Sequence, residues 1–176
     1  MHYGAIKFND IANGEGVRVS LFVSGCTNHC KECFNPETWN FEYGNLYTEQ
    51  TEKQILDALK SDFVNGLSLL GGEPFEPRNQ PVLLDLVKKV RKLYPNKNIW
   101  AYSGFRLDDE LLIKGSYPNC ECTLELLKNI DILVDGRFDR DLKKITLNFR
   151  GSSNQRIIDV QQSLSQNKVV LSPLNN

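Results

Sequence analysis

The stretch Val17-Arg18-Val19-Ser20-Leu21-Phe22-Val23-Ser24-Gly25-Cys26-Thr27-Asn28-His29-Cys30-Lys31-Glu32-Cys33 sets the reading of the whole chain. Its first part, Val17 to Ser24, is β-branched and apolar and reads as a buried strand. Gly25 ends that strand, and three cysteines follow at C-x3-C-x2-C spacing: Cys26, Cys30 and Cys33. Three thiolates can hold three corners of a cubane 4Fe–4S cluster and leave the fourth iron open to bind and cleave a substrate, much as catalytic zinc keeps one position free. The rival occupant of the same cysteines is zinc in a non-catalytic interaction module, with His29, Cys120 or Cys122 as fourth ligand. C-x3-C is not the common zinc spacing, which favours the cluster.

Outward from this stretch, strand and helix patterns alternate, which argues for α/β with parallel strands. Thr51 to Phe63 carries Ile55, Leu56, Leu59 and Phe63 at helical spacing, with Thr51 as N-cap three residues before Gln54. Gly66 to Leu70 is a short apolar strand ending in Gly71-Gly72. Pro81 then opens a helix with one stripe of Leu83, Leu86, Val87, Val90 and Leu93, and Pro95 stops it. Asn98 to Ser103 and Ile130 to Val134 read as further buried strands, with two helical pieces between them. Ile157 to Leu164 reads as a helix and Val169 to Leu171 as a short strand. The three motifs rich in cysteine or glycine fall at strand C-terminal ends, where ligands of such sheets bind.

The 176 residues, 40% hydrophobic and 24% charged, suit one compact domain spanning 1–176, with its core at about 14–159 and a tail from about 160 to 176. A net charge of -1 and a pI near 6.1 give no broad cationic footprint, which argues against nucleic acid as a main partner. Met1 to Lys7 lacks an apolar signal core, and no apolar run approaches the roughly 18 residues that span a bilayer, so no membrane association and a cytoplasmic location are expected. Five cysteines without a secretory signal read as reduced thiols or metal ligands rather than disulfides. Cys120 and Cys122 read as two spare thiols in a variable insert.

The cysteine run resembles the signature of the radical S-adenosylmethionine (SAM) enzymes. Gly14-Glu15-Gly16-Val17-Arg18, Leu21 to Cys26 and Cys33-Phe34-Asn35-Pro36-Glu37-Thr38-Trp39 are similar to the glycyl-radical activating enzymes within that superfamily. Gly66-Leu67-Ser68-Leu69-Leu70-Gly71-Gly72-Glu73-Pro74, Val134-Asp135-Gly136 and Arg150-Gly151-Ser152-Ser153-Asn154-Gln155-Arg156 resemble the activating components of anaerobic (class III) ribonucleoside-triphosphate reductases. The likeness runs from about Gly14 to Asp159.

The resemblance implies a shortened, incomplete parallel (β/α) barrel, since 176 residues cannot supply the roughly 250 of a full one. It implies one 4Fe–4S cluster on Cys26, Cys30 and Cys33, with SAM on the open iron. The SAM contacts would be Glu32, Cys33 and Phe34 beside the nucleoside, Gly71 and Gly72 at the methionine amino group, and the strand-end Asp135. Asn35, Glu37 and Trp39 would brace the loop. Ser103-Gly104 reads as a sugar or carboxylate contact or as a turn. The Arg150 to Arg156 motif reads either as a solvated loop whose Ser153 or Asn154 caps a following helix, or as a holder of a carboxylate or of the partner's glycine loop. The reaction implied is reductive cleavage of SAM, with the resulting radical taking hydrogen from a glycine of the reductase. The partners implied are the large reductase subunit and a low-potential electron donor such as a flavodoxin. Beyond the cluster ligands no catalytic residue is called for, which suits a chain whose only histidines are His2 and His29.

Overall fold

A computed structural model describes residues 1–175. In chain order the elements are β1 (His2–Asp10), β2 (Val17–Val23), β3 (Asn45–Leu46), α1 (Glu49–Leu59), β4 (Val64–Gly71), α2 (Gln80–Leu93), β5 (Asn98–Ser103), α3 (Thr123–Lys128), β6 (Ile132–Asp135), β7 (Arg156–Asp159) and α4 (Val160–Gln166). The strands form one seven-stranded sheet in the order β3-β1-β2-β4-β5-β6-β7. The α/β class holds, and β2, β4, β5 and β6 run parallel as the alternating pattern predicts. Three strands correct the all-parallel expectation, because β1, β3 and β7 pair antiparallel. The reason is connection length: β1 reaches β2 by a short hairpin, whereas a parallel partner needs a crossover of a dozen residues or more.

The helices pack on one face. There Val19, Leu21, Val23, Leu67, Leu69, Ile99 and Leu133 meet Ile55 and Leu59 of α1, Leu83, Leu86, Val87 and Val90 of α2, and Leu126 and Leu127 of α3. Each fully buried aliphatic of this kind contributes about 1.5–3 kcal/mol over an exposed one. Pro81 does stand at the start of α2, and Leu93 closes its stripe exposed. The N-cap of α1 is Thr48, not Thr51: Thr51 is the third helical residue, and the two threonines bond each other's backbone N–H. Phe63 lies beyond the helix and is exposed.

A second correction concerns residues 156–166. Arg156 to Asp159 adds to the sheet edge beside β6, and the helix begins only at Val160, with Asp159 as its cap. Ile157 and Ile158 are both fully buried although the strand is at the edge, Ile158 in the core under the helices and Ile157 on the other face with Trp100 and Val134. Val169 to Leu171 is not a strand; it contributes one bridge, Ile158 to Leu171.

Among the described residues the other sheet face carries no α-helix, only Leu174 of a short 3-10 turn against Trp100, Val134 and Ile157. The register places Ser20, Ser68, Trp100 and Ile132 in one row across β2, β4, β5 and β6. Arg18 lies on the same face, fully buried, its guanidinium donating to Ser68 Oγ (2.6 Å), Leu67 O (2.8 Å), Glu15 O (3.0 Å), Asn98 Oδ1 (2.7 Å) and Asn98 O (3.3 Å). It also lies over the Trp100 ring at 5.3 Å. Burial pulls its pKa down to about 10, because removal from water disfavours the cation and no carboxylate among the described residues forms an ion pair with it. The hairpin at residues 13–16 closes over this group so tightly that a Cβ on Gly14 would meet Arg18 and Trp100 at 2.9 Å.

Candidate functional site

The C-terminal ends of β2, β4, β5 and β6 meet along one rim, where a cavity of about 430 Å³ opens. Cys26, Cys30 and Cys33 all line it, facing Gly71 and Gly72 from β4 and Gly104 beyond β5. The three thiols are free; Cys26 is buried, while Cys30 and Cys33 are half-buried.

Backbone bonds lock the base of the cysteine loop to the sheet. Gly72 N–H donates to Val23 O (2.7 Å), Glu73 N–H to Gly25 O (2.9 Å) and Gly25 N–H to Thr38 O (2.7 Å). A Cβ on Gly72 would stand 2.6 Å from Gly25 O and 2.9 Å from Thr38 O, so a side chain there would push the loop off the strand end. Farther out, His29 and Glu32 take left-handed backbones, φ 46° and 56°, on either side of Cys30. Non-glycine residues hold that conformation only where surroundings enforce it. His29 stacks on Trp39 at 4.6 Å, so both brace the loop.

Two buried acids finish the mounting. Glu76 accepts from the N–H and Oγ1 of Thr27, both at 2.7 Å, and from Tyr117 Oη at 2.7 Å. Glu73 accepts from Asn28 Nδ2 (3.0 Å), Phe75 N–H (2.9 Å), Ser103 Oγ (2.8 Å) and Gly104 N–H (2.7 Å). Glu73 thus ties the loop to β5, and Ser103 and Gly104 are its donors. Burial pushes the Glu73 carboxyl up to about 7 despite those donors. The same burial, helped by the charge of Glu73, raises the Cys26 thiol to about 12. A free thiol there stays protonated, and a metal ion is what would draw off its proton.

The other residues singled out from sequence are placed unequally. Phe34 lines the cavity mouth, 63% exposed, its ring 4.9 Å from Phe138 and under Lys143. Glu32 points outward to Arg140 at 2.7 Å. Asp135 is fully buried beneath the rim, gripped by Arg156 Nε (2.8 Å) and Nη2 (2.6 Å) and by Leu107 N–H (2.8 Å), while Gly136 after it reaches the cavity. Arg150 lines the cavity and donates to Asn175 Oδ1 (2.7 Å) and Asn175 O (3.0 Å). Asn154 donates to Arg137 O and caps no helix, since a strand follows it. Cys120 and Cys122 lie outside the cavity, in the turn before α3. Glu76 is the site residue that sequence reasoning left without a role, and Glu73 entered it only as part of the Gly-Gly-Glu turn; two carboxylates within four residues of a strand-end Gly-Gly were the signal.

The donor set fits an iron–sulfur cluster. Soft thiols crowd one wall of the cavity, and the acid nearest them, Glu73, is saturated by its own donors. Among the described residues no three His, Cys, Asp or Glu side chains gather on a point that could hold a single metal ion. In a cubane each cysteine takes its own iron, so convergence is not required. Among the described residues no helix is long and apolar enough to cross a membrane.

The chain is similar to known proteins over most of its length. Residues 12–158 match the family model of a 4Fe-4S single cluster domain. A protein of Pasteurella multocida is 41% identical over 159 residues, 89% of this chain and 96% of its own. One from Escherichia coli K12 is 40% identical over 157 residues (88% and 96%), and one from enterobacteria phage T4 is 38% identical over 157 residues (89% and 93%). All three carry the name anaerobic ribonucleoside-triphosphate reductase-activating protein.

Proposed function

The chain belongs to the anaerobic ribonucleoside-triphosphate reductase-activating proteins and carries their 4Fe–4S domain, and from that premise we propose that it activates such a reductase by radical SAM chemistry. The observation that carries the reading is the single cavity shared by Cys26, Cys30, Cys33 and the Gly71-Gly72 turn at the parallel strand ends. We read residues 1–176 as one radical SAM domain, its sheet a barrel left incomplete, acting in the cytoplasm.

In this reading Cys26, Cys30 and Cys33 hold three irons of the cluster, and SAM closes the fourth. Bound there, the cluster would supply one electron to the sulfonium of SAM, whose C–S cleavage would give methionine and a 5′-deoxyadenosyl radical able to take a hydrogen atom from a reductase glycine. The electron comes from a low-potential donor such as a flavodoxin. The chain's own residues orient and shield. Gly72 leaves room for a backbone contact to the methionine amino group, and Glu73 Oε2 holds Asn28 and Gly104 side by side on the cavity wall. Glu32, Cys33 and Phe34 offer backbone groups at the nucleoside. Asp135 acts from below, by holding Arg156 and the Leu107 turn beneath Gly136.

The test is anaerobic reconstitution with iron and sulfide, reduction, and addition of SAM and reductase. A brown protein that forms 5′-deoxyadenosine and a glycyl radical signal is expected. A colourless protein with one bound zinc overturns the reading in favour of an interaction module.

A further inference from the structure

The run Lys143-Lys144-Ile145-Thr146-Leu147-Asn148-Phe149-Arg150 holds three cations and no acid, in a chain whose net charge is -1. It forms a loop pinched at its base, where Lys143 bridges Ser152 and Ser153 N–H donates to Leu142 O at 2.9 Å. The returning side of the loop, through Leu147, Phe149, Arg150 and Gly151, walls the cavity. Phe149 takes a left-handed backbone, φ 56°, with its ring edge-on to Trp100 at 5.4 Å. A bulky residue keeps that conformation only where its surroundings enforce it, so the loop is anchored from below.

The outgoing side is turned to solvent. Leu142, Lys143, Lys144, Ile145 and Thr146 are all exposed, and Ile145 is 94% so, in a turn closed by Leu147 N–H on Lys144 O. Isoleucine is among the residue types most often buried, and this one packs on nothing in its own chain. Lys143 reaches back over the ring of Phe34 at 5.3 Å, itself exposed at the cavity mouth. Apolar and cationic groups are thus displayed together beside the cysteine loop. Hydrogen transfer needs the reacting atoms within about 3–3.5 Å, so the protein that carries the glycine must press against this mouth. Resting on the function proposed above, we propose that the turn at residues 142–146 is a docking surface for the reductase. Ile145 fills an apolar pocket of the reductase, and Lys143 and Lys144 face acidic side chains that rim it, the anchor-and-rim pattern of protein interfaces. The loop brings the glycine to the cavity and takes no part in holding SAM.

The test uses reconstituted wild-type, Ile145→Ser and Lys144→Glu proteins. Phe63→Ser is the control, since Phe63 is exposed just before β4, at the end of the strands away from the cavity. Three quantities are read: 5′-deoxyadenosine formed without reductase, the reductase concentration that half-saturates glycyl radical formation, and affinity for the reductase by biolayer interferometry. SAM cleavage without reductase should stay within about two-fold of wild type in every variant, and the thermal midpoint should hold. In Ile145→Ser the half-saturating concentration should rise and the affinity fall about ten-fold, with radical yield at saturating reductase kept. Lys144→Glu should weaken affinity most at low salt, an effect that added salt screens. Affinity within about two-fold of wild type in Ile145→Ser would overturn the surface, and so would an equal loss in Phe63→Ser or an equal loss of SAM cleavage. A wild-type dimer that Ile145→Ser splits, with reductase affinity intact, would overturn it in favour of a second copy of the chain. Absence of 5′-deoxyadenosine from the wild type, with affinity still lowered by Ile145→Ser, would overturn the radical reading and leave the docking surface standing.

Discussion

Two levels of one sheet face are built on opposite rules. Around Arg18 every N–H of a buried guanidinium has found an oxygen, and Gly14 and Trp100 seal it in. Above, where Asn28, Trp39 and Tyr102 line a cavity of about 430 Å³, each keeps one buried polar atom without a partner among the described residues. Native proteins pair nearly all such atoms, so the contrast has content. The guanidinium of the lower level is satisfied by the chain and serves stability, although Ser20 Oγ in the neighbouring row has no partner among the described residues. The upper level opens on the cavity that the cysteines line.

The sharpest way to break this contrast is at the cysteines. Alanine at Cys26, Cys30 or Cys33 should reduce reductase activation to background. For the half-exposed Cys30 and Cys33 it should shift the urea midpoint of the cluster-free chain by less than about 1 kcal/mol of stability. Cys120→Ala and Cys122→Ala should activate normally. The complementary change is Arg18→Met, which strands the oxygens that the guanidinium now satisfies. It should cost about 3 kcal/mol or more in urea unfolding; a loss under about 1 kcal/mol would show that the lower level is not structural.

Glu73 stands between the two levels and gives a pH signature. Its folded pKa near 7 lies above the ordinary 4.5, so the folded state binds a proton that the unfolded state has already lost. Stability of the cluster-free chain should therefore fall as pH rises from about 4.5 to 7, by up to about 3 kcal/mol. Glu73→Gln should flatten that slope, as unfolding curves at several pH values would show. The smallest effect is expected at Asp108, which Arg156 holds below the usual carboxylate range. Its contribution is present above the ordinary Asp pKa and disappears as pH falls through the lowered value. Being half-exposed, it should be worth under about 1 kcal/mol in an Asp108→Asn comparison.

The parallel centre of the fold was legible because β2, β4, β5 and β6 are buried on both faces and read as continuous apolar runs. β1 was not legible: its exposed Ala5, Lys7, Phe8 and Asn9 break both the apolar run and a clean alternation. β7 was mistaken for helix because Ile157, Ile158 and Val160 suit either element over so short a run. At the site, the cysteines and Gly71-Gly72 were readable from spacing alone. What Glu73 and Glu76 touch was not, because apart from Phe75 N–H their donors lie 30 to 49 residues away along the chain.

The outer border of the sheet has a consequence for how the protein behaves at high concentration. β1 is nine residues long, but β3 covers only His2 and Tyr3 on its outer side. The rest of that strand offers unpaired backbone groups, the template on which chains stick edge to edge and polymerise. Two irregularities in register, between Tyr3 and Ala5 and between Lys7 and Asp10, bend the strand, and Lys7 adds a charge. Lys7 and these kinks are the molecule's guard against aggregation, and replacing Lys7 with an apolar residue should be read first in light scattering rather than in activity.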